Sequence, residues 1–236
     1  MNGEIVLLPR AELESHSEYA YRVLRENIMQ FHMEPGFTID ESAFAKMLDV
    51  SRTPIHEAVN KLREERLVDV VPRKESKVSK IEMSMVNEAL FIRCCIDPEV
   101  VRLAAGNIQP KYVEKLLHNL NQQKQILDEG TELYRFYPVD DAFHRLIYEA
   151  TNKTRTHDLL KHIVTQLDRV RYLVRFDGSW NIEAISYAEH RALFGYMVYQ
   201  ADLDVDVETY MKRHVMRFQN SMEILLDKYA DYFSFT

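Results

Sequence analysis

Residues 40–81 constrain the fold more than any other stretch. Asp40 stands at the N-cap position of a short helical segment, Glu41–Leu48, and Asp49-Val50-Ser51 interrupts it. A second helix is expected from Arg52 to about Glu65, with Pro54 in the first turn, where a missing N–H costs nothing. Ahead of the pair, Tyr21, Leu24, Ile28 and Phe31 recur at spacings of three and four, which predicts an amphipathic helix over residues 15–32, ended by Glu34-Pro35-Gly36. Behind it, the apolar runs Leu67–Pro72 and Val78–Ile81 flank the charged tip Arg73-Lys74-Glu75-Ser76-Lys77 and predict a small hairpin. Two short helices on a tight turn followed by a hairpin make a winged helix-turn-helix.

At 236 residues the chain is long enough for two domains, and six Gly with seven Pro favour long helices over a strand-rich sandwich. From Met85 onward the pattern is helical almost throughout, with breaks near Asn107–Pro110, Glu129–Thr131, Asn152–Thr156, Asp177–Asn181 and Ala201–Asp204. About six helices in a bundle with short connections result. The expectation is a mainly α protein: a winged helix-turn-helix over residues 1–80 and an all-helical bundle over residues 85–236.

No apolar run reaches membrane-spanning length, and the start, MNGEIVLLPRAELE, is too short in apolar residues and too acidic for a secretory signal, so a cytoplasmic location is expected. Cys94 and Cys95 are adjacent, a spacing that rarely satisfies disulfide geometry, and read as two small, partly buried side chains. The net charge of −7 excludes a chain coated in nucleic acid, but residues 52–80 hold eight Lys/Arg against five Asp/Glu. A local basic strip suits DNA contact through one small face.

The second half carries six histidines: His118, His144, His157, His162, His190 and His214. His190 shares a helix face with Leu193, Phe194 and Met197, and His214 lies in line with Val207, Met211, Phe218 and Leu225, so both point inward. His118 and His162 fall among polar neighbours and read as solvated. Asp140 and His144, four apart, project from one helix face and can reach a single ion. On spacing alone, buried histidines are more often hydrogen-bonded core residues than ligands.

The string Asp49-Val50-Ser51-Arg52-Thr53-Pro54-Ile55-His56-Glu57-Ala58-Val59, followed by Leu62 and Leu67-Val68, resembles the DNA-binding signature of the GntR family of transcription regulators. The second half resembles that family's FCD (FadR C-terminal domain) subgroup: Arg93, Asp97 and Ala104-Ala105 on its first helix, then Asp140-Asp141-Ala142-Phe143-His144, Asn152, Glu189-His190 and His214. Relatives usually carry arginine where this chain has Ser42 and His56, and glycine where it has Arg66 and Glu75. The resemblance implies a cytoplasmic homodimeric regulator, by likeness a repressor, that binds double-stranded operator DNA. It further implies a divalent transition metal ion (zinc, nickel, manganese or iron) held by Asp140, His144, His190 and His214. A carboxylate with three imidazoles suits such a metal better than calcium or magnesium.

Arg52 is placed to grip guanine from the start of the recognition helix, with Ser51 and Thr53 on phosphates and His56 supplying a reduced contact. Lys61 and Arg63 would touch backbone, and Arg73, Lys74 and Lys77 would line the wing. Arg93 is the expected partner for a small carboxylate effector such as a sugar acid, since guanidinium and carboxylate match in shape and charge, with Asn152 and Arg171 as further effector-binding candidates. A regulator answering to the metal ion alone is the second reading. A helical metallohydrolase fused to a DNA-binding module is the third, and the sequence supplies no nucleophile elbow, phosphate loop or general base beyond the ligands themselves.

Overall fold

The computed structural model describes residues 4–70, 75–130, 135–178 and 182–235. The first helix, α1 (His16–Met29), opens on Ser15 in a capping box with Glu18 and packs Val23, Leu24 and Ile28 inward. A two-residue strand β1 (Thr38–Ile39) leads into α2 (Glu41–Met47), whose first turn is capped by Asp40 Oδ1 accepting from the backbone N–H groups of Ser42 and Ala43. After Asp49, held at φ +52°, the chain turns into α3 (Arg52–Glu64), which buries Ile55, Ala58, Val59 and Leu62 against α1. The helix-turn-helix lies where the sequence puts it.

The wing differs in detail. β2 (Val68–Val70) and β3 (Ser76–Val78) pair antiparallel as expected, but β1 adds to the other edge of β3, giving the order β1-β3-β2. Thr38-Ile39 is too short to register as alternation. Residues 71–74, Arg73 and Lys74 among them, lie outside the described residues. A further strand, β4 (Ile81–Glu82), pairs in parallel with β5 (Phe233–Ser234) near the end of the chain, a pairing with no sequence signal.

Among the described residues eight α-helices follow: α4 (Met83–Ala104), α5 (Pro110–Glu129), α6 (Phe136–Ala150), α7 (Thr154–Ile163), α8 (Thr165–Asp177), α9 (Ile182–Tyr199), α10 (Val207–Val215) and α11 (Met222–Lys228). The described residues of the five expected breaks lie at or between helix ends, with Pro110 and residues 154–156 already in the first turns of α5 and α7. The interruption at Val164, between α7 and α8, carries neither glycine nor proline and is not legible as a break.

Packing divides the chain into two compact units. One comprises Met1–Val86, Val164–Phe176 and Met222–Thr236; the other comprises Asn87–Ile163 and Asp177–Ser221. Hence α8 and the chain's end pack with the winged helix rather than with the sequence-adjacent helices. The first unit's core includes the α1/α3 apolar faces with Phe44, Leu67 and Val78, and Tyr172 of α8 packs against it. Polar contacts fix α8 there. Fully buried Arg169 donates to the carbonyls of Ser79 (2.8 Å) and Lys80 (3.2 Å) and to Ser79 Oγ (3.2 Å), while Gln166 Nε2 donates to the Arg66 carbonyl at 2.6 Å. Burial pulls the Arg169 guanidinium down to about 9. The second unit's core gathers Val100, Val101, Leu116, Leu120, Phe143, Ile147, Leu193, Met197 and Met211, and α6, α9 and α10 of this unit carry His144, His190 and His214.

Candidate functional site

Three histidines from three helices converge in the second unit. On α6, the buried positions Tyr137, Asp140, Phe143, His144, Ile147 and Tyr148 recur at spacings of three and four, so Asp140 and His144 occupy a face that is otherwise apolar. On α9, fully buried His190 sits on the face with Leu193, Phe194 and Met197; α10 brings His214, its side chain 6% exposed. One ring nitrogen from each of His144, His190 and His214 lies within 4.8 Å of the others. Asp140 Oδ1, also buried, lies 3.8 Å from His190 Nε2. Exposed His118 and His162 stay outside, as expected of polar faces. His157 is buried against the ring of Tyr148.

The donor set fits a metal ion. His214 Nδ1 donates to Glu189 Oε2 at 2.7 Å, and that carboxylate is itself paired with Arg217, so it accepts and His214 Nε2 is left with its lone pair toward the cluster. His214 Nε2 stands 3.2 Å from His144 Nε2. Two nitrogens bound at 2.0–2.1 Å to one tetrahedral ion lie about 3.3 Å apart, so the imidazoles already stand at ligand separation. His144 is held well below the ordinary imidazole range, first by burial and then by the neighbouring His190 and His214, against the opposing pull of Asp140. The shift favours the neutral ring, the form that a metal ligand requires.

Arg93, on α4, pairs with Asp97 one turn on, Nε at 2.9 Å and Nη2 at 2.8 Å. Asp97 Oδ1 also accepts from the Tyr148 hydroxyl at 2.5 Å, and burial, then the Asp97 charge, pushes that phenol far up. Arg93 thus arrives already oriented by a buried carboxylate. Asn152 is exposed, with φ +58°, and ends α6 in the left-handed conformation that asparagine tolerates best after glycine. Arg171 lies on α8, in the first unit, paired with Asp168. Sequence reasoning did not single out Asp97, Tyr148 and Glu189 as site residues. It also missed Asn119 and Gln123 of α5, whose signal is a polar residue in line with the apolar stripe Leu116, Leu120, Ile126.

In the first unit, Ser51, Arg52, Thr53 and His56 are all exposed at the start of α3, and the Ser51 hydroxyl caps no backbone N–H. Glu41 of α2 reaches both His56 Nδ1 (3.2 Å) and Arg52 Nη2 (4.0 Å). Lys61 lies over the Tyr21 ring at 3.8 Å, Arg63 is exposed, and Lys77 pairs with Glu75 on the wing.

Residues 16–78 match the bacterial regulatory proteins, gntR family, and residues 88–215 match the FCD domain. The chain belongs to the GntR family, with an FCD domain. The HTH-type transcriptional repressor RspR of Escherichia coli K12 is 32% identical over 218 residues, 92% of this chain and 93% of that protein. The Nta operon transcriptional regulator of Aminobacter aminovorans is 26% identical over 164 residues, 69% of this chain and 74% of its own length. The solved structure of E. coli McbR/YncC shares the fold with a TM-score of 0.68, at 18% identity, over 92% of this chain and all of that one. This GntR-family chain is accordingly a DNA-binding transcription regulator, and both of its families and these relatives are regulators, not enzymes. Among the described residues no helix is long and apolar enough to cross a membrane.

Proposed function

We propose that this regulator is a homodimeric repressor whose helical unit holds one divalent transition metal ion (zinc, nickel, manganese or iron) on His144, His190, His214 and Asp140. The observation that carries the reading is the convergence of three buried imidazoles on one point, two of them at ligand separation. A bound ion supplies a Lewis-acidic anchor with open positions for a carboxylate. Arg93 supplies the second grip on a small organic acid such as a sugar acid, and Asp97 and Tyr148 hold that guanidinium in place. Arg52 reads operator bases, Ser51 and Thr53 bind phosphates at the helix start, and Lys61, Arg63 and Lys77 add backbone contacts. Effector binding shifts the population of chains competent for the operator.

The test is a thermal-shift screen of sugar acids and dicarboxylates against the zinc- or nickel-loaded chain. A binder of the folded state raises the melting temperature. The expected hit stabilises wild type, loses that effect in Arg93→Ala, and releases operator DNA; a metal-loaded protein indifferent to every carboxylate contradicts the effector half of the reading. One observation favours the second reading, in which the ion alone is the signal: Arg93 already has a carboxylate partner in Asp97. Under that reading, added metal changes operator affinity without any organic acid.

A further inference from the structure

We infer that Asn119 and Gln123, on a helix that supplies none of the four proposed ligands, are positioning residues that fix the proton of His190 on Nδ1 and keep Nε2 unprotonated toward the histidine cluster. The inference rests on the metal reading for its purpose, and on hydrogen-bond polarity for its substance.

The chain of bonds begins at a group that can only accept. Asn119 Nδ2 donates to the backbone carbonyl of Val139 at 2.9 Å, which settles which end of the Asn119 amide is which. Its Oδ1 therefore faces the other way, where Gln123 Nε2 donates to it at 2.7 Å. That contact orients the Gln123 amide in turn, leaving Oε1 2.9 Å from His190 Nδ1. A carbonyl oxygen only accepts, so Nδ1 carries the hydrogen, and the neutral ring must present a lone pair at Nε2. Every link is dictated by the one before it. Gln123 and His190 are fully buried and Asn119 is 4% exposed, so bulk water has no access to substitute for a missing link.

The relay also couples two helices that carry ligands. Val139 immediately precedes Asp140 on α6, and His190 is on α9; Asn119 and Gln123, one turn apart on α5, tie the two together. Phe143 stacks on the His190 ring, centroids 4.3 Å apart, so the stack holds the ring plane and Gln123 holds its rotation within that plane. His214 is oriented by the carboxylate of Glu189, whereas His190 has a neutral amide in the same role. Loss of a partner of this kind commonly lowers metal affinity 10- to 100-fold.

The test uses the full-length chain, 15N-labelled at histidine and stripped of metal, with ring tautomers read from long-range nitrogen–proton correlations at about pH 8, where free imidazole is neutral. Wild-type His190 is expected as the Nδ1–H form. In Asn119→Ala, where Gln123 is free to turn over, a mixture of forms is expected, and Gln123→Leu loses the preference. Zinc affinity, measured by competition with a chromophoric chelator, should fall about 10- to 100-fold in both variants and stay unchanged in Gln122→Leu, an exposed neighbour on the same helix. An Nε2–H form in wild type overturns the inference and needs no variant to be folded. Unchanged tautomers in a folded Gln123→Leu overturn it equally. Failure of wild type to bind zinc, with the tautomer as expected, counts against the metal reading and leaves the relay standing.

Discussion

At the residue scale, His144 and His157 link the helical unit's stability to pH. Burial is the leading reason that both bind protons less readily than a free imidazole. Between the unfolded value near 6.5 and the lower folded value, the unfolded chain takes up protons that the folded chain refuses, so stability is present above that window and drains as pH falls through it. The metal-free chain should therefore show a lower urea midpoint at about pH 5.5 than at about pH 7.5, with a smaller difference in His144→Asn. Equal midpoints in wild type contradict this. On the DNA side, the Arg52 side chain is 70% exposed and approaches Glu41 at 4.0 Å. Arg52→Ala should cost on the order of 1–3 kcal/mol of operator binding and relax specificity at one position, whereas Lys77→Ala should weaken all sequences alike and flatten the salt dependence. Gel-shift titrations at fixed and varied salt distinguish the two. Helical period sorted inward His190 and His214 from outward His118 and His162, whereas the ligand set itself came from the resemblance to the FCD subgroup and not from spacing. Gln123 was not legible, because its hydrogen-bond partner His190 is 67 residues away.

At the scale of elements, the end of α3 shows how a departure from the family pattern is absorbed. The N–H of Leu67 returns to the carbonyl of Leu62 and that of Arg66 to Arg63, closing the helix with Leu62 and Leu67 both fully buried. This closure needs a left-handed residue between, and Arg66 supplies it at φ +59°, where the resemblance leads one to expect glycine. Its side chain is exposed, while its carbonyl accepts from Ser79 Oγ and Gln166 Nε2, bonds that a glycine retains. Arg66→Gly should thus stabilise the protein by about 1 kcal/mol, relieving the crowded backbone. A lower melting temperature in the variant would be the contrary result. Most element boundaries followed from caps, breaks and period. The placement of α8 did not, since Gln166 and Arg169 bond to carbonyls about 90 to 100 residues away and backbone acceptors leave no trace in side-chain pattern.

For the whole molecule, the proposed dimer follows from the small number of base pairs one winged helix reads, which makes two copies on a repeated half-site the economical arrangement. Light scattering at micromolar concentration should return twice the 27.9 kDa chain mass; a monomer with and without operator contradicts it. Under the proposed function, the buried histidines hold an ion. Elemental analysis after dialysis, on wild type and on the double variant His190→Ala/His214→Ala, tests it most directly. Wild type should retain close to one transition metal ion per chain and the double variant should retain almost none; undiminished metal in the double variant would place the ion elsewhere and leave these side chains as core residues.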